Sequence, residues 1–331
     1  MANAFISGIA SYVPDDILDN EMLSKMVDTN DEWITTRVGI KERRILHAKG
    51  EGSSFLGQKA VEKLLASTGT SPEEVDLLIC ATSNPDYRFP STASVIAHRC
   101  GLSRAYAYDI QAACAGFIVT LQAARAYIQG GLYKKIIVVA AEKMSSMTNY
   151  EDRATCPLFG DAAGAVMIEP TDDPAIGIID AECHIDGTGL PHLLMKAGGS
   201  VLPASHETVD ANEHFIYQEG RAVYKHAVRD MFSSTLSVMQ RNGLTVDEVD
   251  YLVPHQANLR IIEAVGGRLK FPAEKVLVNI QHYGNTSAAS IPLCLDEYKN
   301  RLKKGDKIVM TAFGAGFTWG ALYLVWGIDP K

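Results

Sequence analysis

The sequence predicts an α/β fold made of two related halves, each contributing a sheet covered on both faces, with buried helices in the layer between the sheets. Three observations carry this. Apolar runs of strand length alternate with helical patterns along the chain. The pattern recurs in the same order in both halves. The segments after Cys114 and Asn285 are rich in Ala, Gly and Ser, as a crowded central layer requires, since small side chains permit close backbone approach.

In chain order, "SFLGQKAVEKLLASTG" at 54–69 is an amphipathic helix ended by Gly69. "LLICAT" at 77–82 is a short apolar strand. "AGFIVTLQAARAYIQGG" at 115–131 is a largely apolar helix with a Gly-Gly stop, and "KIIVVAAE" at 135–142 is again a strand. In the second half, 220–243 is a long helix and 259–269 a shorter one. "SPEEVDLLICAT" at 71–82 has an echo in "TVDEVDYLVPHQ" at 245–256, and "LYKKIIVVAAE" at 132–142 in "LKKGDKIVMTAFG" at 302–314. "AAGAVMIEP" at 162–170 is echoed by "TWGALYLVWG" at 318–327. The first two pairs are about 172–174 residues apart and the third about 156, so duplication is the reading, with halves at 1–172 and 173–331.

With 331 residues, 47% hydrophobic and 21% charged, the chain reads as a soluble globular protein with a sizeable core. A net charge of −8 gives no reason to expect nucleic acid. The opening "MANAFISGIASYVPDD" lacks the features of a signal peptide, and the longest aliphatic run, "IIVVAA" at 136–141, is too short to span a bilayer. Six cysteines, none in a CxxC pair, read as free thiols in a reducing cytoplasm. His184, His192, His206 and His214 fall in the least regular region, 180–220, but match no compact ligand motif. No metal is expected there, and the region reads as a loop followed by edge strands.

Three stretches carry the chemistry: "QAACAGF" at 111–117, "PHQAN" at 254–258 and "HYGNTSAAS" at 282–290. They offer a thiol at Cys114, an imidazole at His255 and a carboxamide at Asn285. A thiol can hold an acyl group, and His and Asn can donate to a developing oxyanion. Cys114 is expected at the N-terminus of a buried helix, whose free N–H groups favour a thiolate and depress the thiol pKa. His255 follows a strand, at the carboxyl end where α/β sheets present functional groups. Each residue also has an ordinary reading by itself: a core cysteine, a structural histidine, an Asn at a helix cap or turn.

The stretches "AACAGF", "PHQAN", "GNTSAAS" and "GAGFTWG", with "NDEWITTRVGIKERR" at 30–44, "FPSTASVIAHRCG" at 89–101 and "FGDAAGAVMI" at 159–168, resemble those of the beta-ketoacyl-[acyl-carrier-protein] synthase III family of the thiolase-like superfamily. The resemblance spans nearly the whole chain. It implies a duplicated five-layer αβαβα fold, with two mixed sheets around buried central helices. It also implies the initiating condensation of type II fatty-acid synthesis, in which acyl-CoA, acetyl-CoA first among the primers, joins malonyl-ACP (ACP being the acyl carrier protein) with loss of carbon dioxide.

Cys114 would then be the acyl-accepting nucleophile, while His255 and Asn285 hold the malonyl thioester carbonyl during decarboxylation. The backbone N–H groups of Cys114 and Ala315 would form the other oxyanion site; most relatives have Gly where Ala315 stands. Trp33, Arg37 and Arg153 resemble the adenine-recognising set of the CoA site, and Asn258 lies on the pantetheine path. Lys225 and Arg260 resemble docking residues for ACP, aided by Arg221, Arg229 and Arg241 on one helix. Phe313 and Phe317 would pack around the active centre. Phe89 would reach across the twofold axis of a homodimer toward the partner's acyl pocket. No cofactor is implied, the CoA thioester being a substrate.

A secondary-metabolite condensing enzyme with another starter, or with malonyl-CoA as extender, is the close alternative. A degradative thiolase would need a second cysteine near the C-terminal motif, and "FGAGFTWG" has none. A papain-like protease does not fit the repeated α/β pattern, and the intact Cys-His-Asn set argues against a non-catalytic scaffold.

Overall fold

The aliphatic runs become strands and the amphipathic stretches helices in the computed structural model, which describes residues 2–329. In chain order the first elements are β1 (Asn3–Tyr12), β2 (Ile17–Asp19), α1 (Asn20–Ser24), α2 (Asp31–Val38), β3 (Glu42–Arg44) and α3 (Ser53–Thr68). There follow β4 (Leu77–Ala81), α4 (Thr92–Arg99), β5 (Tyr106–Ile110), α5 (Gly116–Gln129), β6 (Ile136–Lys143) and β7 (Asp161–Thr171). Next come β8 (Gly177–Ile185), β9 (Leu193–Met195), α6 (His206–Asp210), β10 (Ile216–Gln218), α7 (Gly220–Arg241) and β11 (Tyr251–Pro254). The last are α8 (Leu259–Leu269), α9 (Ile280–Tyr283), α10 (Ser290–Tyr298), β12 (Lys307–Gly314) and β13 (Thr318–Val325).

Two mixed sheets organise these elements. The first runs β1-β7-β6-β4-β5 and the second, in the same sense, β8-β13-β12-β11. The pairings also match: β4 with β6 and β11 with β12 are parallel, whereas β6 with β7 and β12 with β13 are antiparallel. Where the first sheet has β5, the second has only a parallel bridge from Leu252 to Val276. The echoed Val-Asp turns are built alike. Asp76 N–H donates to the Lys135 carbonyl at 2.9 Å and Asp250 N–H to that of Lys307 at 2.9 Å. Each Asp carboxylate then accepts from the N–H of that same lysine, at 3.0 and 2.8 Å. Ahead of each turn a Glu caps a short helical turn or loop, Glu74 on Ser71 and Glu248 on Thr245.

Helices α5 and α10 lie between the sheets. Phe117, Leu121, Ile291 and Leu295 from these helices join Ile79, Met310 and Leu322 from the strands in one buried cluster. Small residues let this layer close: a Cβ on Gly116 would stand 3.1 Å from that of Ala81, and one on Gly164 2.7 Å from that of Pro292. Each central helix is entered through a 3₁₀ turn, Ala113–Ala115 before α5 and Ser287–Ala289 before α10. Each turn opens on a non-glycine residue in the left-handed region, Ala113 at φ 46° and Ser287 at φ 51°. Helices α3 and α4 cover the outer face of the first sheet, and α7 and α8 that of the second.

Helix α3 ends on Gly69 in the left-handed region as expected, and α8 has the expected limits. The region 180–220 holds loops and strands as expected, but a strand precedes the loop as well as following it. Strand β8 belongs to the second sheet through Ile185, and β9 and β10 form a separate antiparallel ribbon. The polar and Gly-rich composition gave no bounds for these strands, whose order comes from long-range pairing. All six cysteines are free thiols.

Candidate active site

Strand ends and helix starts from both halves open onto one cleft of about 1250 Å³. Cys114, His255, Asn285, Phe313, Gly314 and Ala315 line its depth, and Trp33, Arg37, Asn258 and Arg260 also border it. Cys114 sits in the 3₁₀ turn just ahead of α5, with Sγ 3.6 Å from the Ser287 hydroxyl. The Cys114 thiol pKa is raised, not depressed as the helix start alone would have it. Burial pushes the Cys114 thiol up to about 12, the Glu142 carboxylate adds to this, and the Ser287 hydrogen bond offsets only part of it. Desolvation outweighs the helix start in setting the resting protonation state.

His255 ends β11 and is buried. Its Nδ1 lies 2.7 Å from the Ser290 hydroxyl, whose oxygen accepts from the Gln256 N–H at 3.3 Å. Donation by the Ser290 O–H to Nδ1 corresponds to the tautomer with the imidazole proton on Nε2, in which the ring is a donor at that nitrogen. Burial lowers the His255 pKa to about 3, so the ring is neutral at pH 7. Asn285 is fixed by its own backbone, which bridges Leu158 and Gly160. Its Oδ1 accepts from the Ser287 N–H at 2.8 Å, leaving the Nδ2 hydrogens as its donors. The cleft therefore combines a protonated thiol with two neutral donors.

The backbone of Ala315 follows β12 directly. A Cβ on Gly314 would stand 2.6 Å from the Cys114 nitrogen, so the two loops that carry the Cys114 and Ala315 N–H groups touch. At the mouth, the guanidinium carbons of Arg37 and Arg153 lie 5.1 and 4.9 Å from the centroid of the Trp33 ring. Asn258 caps α8, its side chain accepting from the Arg260 N–H at 2.9 Å.

Models of 3-oxoacyl-[acyl-carrier-protein (ACP)] synthase III match residues 108–187, and those of its C-terminal part residues 239–326. The chain is 56% identical over 329 residues to beta-ketoacyl-[acyl-carrier-protein] synthase III 2 of Bacteroides thetaiotaomicron, covering 99% of this chain and 98% of that relative. It belongs to the beta-ketoacyl-[acyl-carrier-protein] synthase III family. The solved 3-oxoacyl-[acyl-carrier-protein] synthase III of Aquifex aeolicus superposes with a TM-score of 0.89 at 43% identity, covering 98% of this chain and all of that one. The priming beta-ketosynthase of the R1128 polyketide pathway superposes with a TM-score of 0.91 at 33% identity, covering 100% of this chain and 98% of that one. The architecture is thus the thiolase-like fold of the synthase III family, and this is a family of condensing enzymes.

Not every residue expected of a synthase III site meets the others in this chain. Phe313 lines the cleft, whereas Phe317 packs behind it with ring centroids 4.8 Å apart. Phe89 is 86% exposed and lines no part of the cleft. Arg153 reaches the site only through Trp33, and Lys225 is exposed on α7 outside the cleft lining. The expected basic face of α7 is largely neutralised: Arg229 pairs with Asp230, and Arg241 with Asp180 and Glu182. Arg221, Lys225 and Arg260 remain exposed cations at this rim.

Sequence reasoning passed over Glu142, Ser287 and Ser290. The serines lay inside the quoted "GNTSAAS", but their spacing of three residues, which brings one to Cys114 and the other to His255, emerges only with the 3₁₀ turn. Glu142 left a signal, a carboxylate directly after the apolar run "IIVVAA" near the end of β6.

Proposed function

We propose that this synthase III condenses an acyl-CoA, acetyl-CoA foremost, with malonyl-ACP, giving beta-ketoacyl-ACP, CoA and carbon dioxide as the first step of type II fatty-acid synthesis in the cytoplasm. The observation that carries the reading is the meeting of Cys114, His255 and Asn285 in one cleft whose mouth is bordered by Trp33 and Arg37. Cys114 Sγ attacks the acyl-CoA carbonyl, and the N–H groups of Cys114 and Ala315 receive the oxyanion as the CoA thiol leaves. The malonyl thioester carbonyl then accepts from His255 Nε2 and Asn285 Nδ2. Charge grows on that oxygen as carbon dioxide departs, and the resulting carbanion attacks the acyl-Cys114 carbonyl. Loss of carbon dioxide supplies the nucleophile, so no strong base is needed at His255, in keeping with a ring that stays neutral.

In this reading the stacked Trp33, Arg37 and Arg153 receive the adenine, Asn258 the pantetheine, and Lys225 and Arg260 the acidic carrier. Phe313 and Phe317 bound the acyl end, and the exposed Phe89 serves the other subunit of a homodimer. We read 1–172 as the half that brings the nucleophile and 173–331 as the half that brings His and Asn. The likeness to the R1128 priming beta-ketosynthase favours, as a second reading, a secondary-metabolite condensing enzyme with a different starter or malonyl-CoA as extender.

Intact-protein mass spectrometry with competing acyl-CoAs, followed by addition of malonyl-ACP or malonyl-CoA, separates the two. Transfer of an acetyl adduct to malonyl-ACP supports the first reading. Preference for another starter together with malonyl-CoA supports the second, and no adduct from any acyl-CoA contradicts both.

A further inference from the structure

Glu142, the next-to-last residue of β6, is fully buried, and no Lys or Arg pairs with it among the described residues. Its carboxylate accepts from the Ser83 N–H at 3.1 and 3.0 Å and from the Thr82 hydroxyl at 3.2 Å. It also accepts from the Ser287 hydroxyl at 2.9 Å, and that same hydroxyl lies 3.6 Å from Cys114 Sγ. Ser287 therefore bridges nucleophile and carboxylate. It is buried and held at φ 51°, a conformation costing about 1 kcal/mol or more for a residue with a side chain. Its N–H on Asn285 and its hydroxyl on Glu142 fix it there.

The bridge answers a need of the site. The thiol rests protonated, and His255 is too weakly basic to receive its proton, with Nδ1 already facing Ser290. Burial raises the Glu142 carboxyl to about 7, its hydrogen bonds opposing the rise, which suits a proton acceptor near neutral pH. Other titratable groups on the surrounding elements are Cys80 on β4, Cys114 ahead of α5, Lys143 beside it on β6, Asp161 on β7, and Asp86 and Asp109 near the ends of β4 and β5. Asp161 is engaged by Leu46 and Ser145, Asp86 by Ser54, Asp109 by Thr92 and Ala93, and Lys143 by the Glu51 carbonyl. The Cys80 thiol is pushed well up by burial.

On the reading that Cys114 accepts the acyl group, we propose that Glu142 takes the Cys114 proton through the Ser287 hydroxyl during acyl transfer, a positioning residue acting through Ser287. As Sγ bonds to the thioester carbon, the S–H proton passes to Ser287 Oγ while Ser287 passes its own to Glu142. The donor C–S bond breaks, and the leaving thiolate is protonated by return of that proton along the same path. Acyl group, electron pairs and protons balance with no further reactant.

The test is single-turnover acylation of Cys114 across pH, quenched and read by mass spectrometry with acetyl-CoA as the probe. The wild type should lose rate as pH falls through about 7. Glu142→Gln and Ser287→Ala should acylate roughly 100-fold more slowly near neutral pH, with a rate that climbs with hydroxide and no limb near 7. Glu142→Asp should recover part of the rate. Should Glu142→Gln not fold, Ser287→Ala decides alone, since it leaves the Thr82 and Ser83 contacts in place. Variants that acylate at the wild-type rate, or that are slowed equally at every pH with the limb retained, overturn the proposal and leave Glu142 as a clamp on the Thr82–Ser83 turn. A wild type that forms no acyl-enzyme would instead overturn the parent reading.

Discussion

At Cys114, His255 and Asn285 the hydrogen bonds, more than the residue types, assign the chemistry. A Ser290 O–H donated to Nδ1 leaves Nε2 of His255 as a donor, and the Ser287 N–H held on Oδ1 leaves Nδ2 of Asn285 as one. The His255→Ala and Asn285→Ala variants should therefore lose malonyl decarboxylation far more than Cys114 acylation, by roughly 2.7–4 kcal/mol for one well-oriented donor. Single-turnover kinetics resolve the steps, and equal losses in both would mean that these residues serve Cys114 instead.

Burial of His255 also links stability to pH. Its pKa is lowered from 6.5 to about 3, so its contribution is complete above 6.5 and is lost as pH falls, by up to about 1.4 kcal/mol per unit. Glu142, raised from 4.5 to about 7, has the opposite sign: its contribution is complete below 4.5 and is lost as pH rises through 7. Between pH 6.5 and 5, the stability gap between wild type and His255→Gln should narrow by about 1.6 kcal/mol on acidification, whereas the gap to Glu142→Gln should widen. Urea unfolding at the two pH values measures both, and parallel curves would contradict the assigned burial effects. The residue types were legible in the sequence. The direction of the thiol shift was not, because a helix start can be read from "ACAGF" whereas desolvation depends on what the other half packs against it.

Two 3₁₀ turns and one strand end hold the site together as elements. Gly314, at the end of β12, lies against the turn bearing Cys114, where an added Cβ would stand 2.6 Å from the Cys114 nitrogen and 2.9 Å from the Ala113 Cβ. Gly314→Ala should displace the nucleophile's turn and cut acylation on the order of 100-fold, since displacements near 1 Å have that effect, while the fold persists. Gly187→Ala, with nothing within 4 Å of its Cβ, is the matched control and should acylate normally. An unimpaired Gly314→Ala enzyme would show that the turn yields. Strand and helix positions in the core were readable because the aliphatic period and the Gly stops are local signals, as at Gly69. The bounds and pairing of the β9–β10 ribbon were not, because its three-residue strands have no period long enough to place them.

Across the whole molecule, four strands of the first sheet correspond in order and sense to the four of the second, and that correspondence places a turn from each at the centre. Three echoed segments made this symmetry readable, while the loss of the β5 equivalent to a single bridge left no trace in the pattern. The proposed function assigns different parts of the surface to the two substrates. Trp33→Ala should weaken acyl-CoA use more than malonyl-ACP use. Replacing Lys225 and Arg260 by Ala should do the reverse, with a smaller loss at high salt because screening already weakens the attraction. Separate titrations of the two substrates check this crossing, and equal effects on both would move these residues to general support of the cleft.

Where the acyl group resides between the two half-reactions decides the proposed chemistry most directly. Peptide mapping by mass spectrometry, after brief exposure to acetyl-CoA and then after a chase with malonyl-ACP, reads this in one protein sample. The acyl mass should appear on the peptide containing Cys114, disappear on the chase as beta-ketoacyl-ACP forms, and be absent throughout in Cys114→Ala. An acyl group found on any of the other five cysteines, or one on Cys114 that survives the chase unchanged, would contradict it.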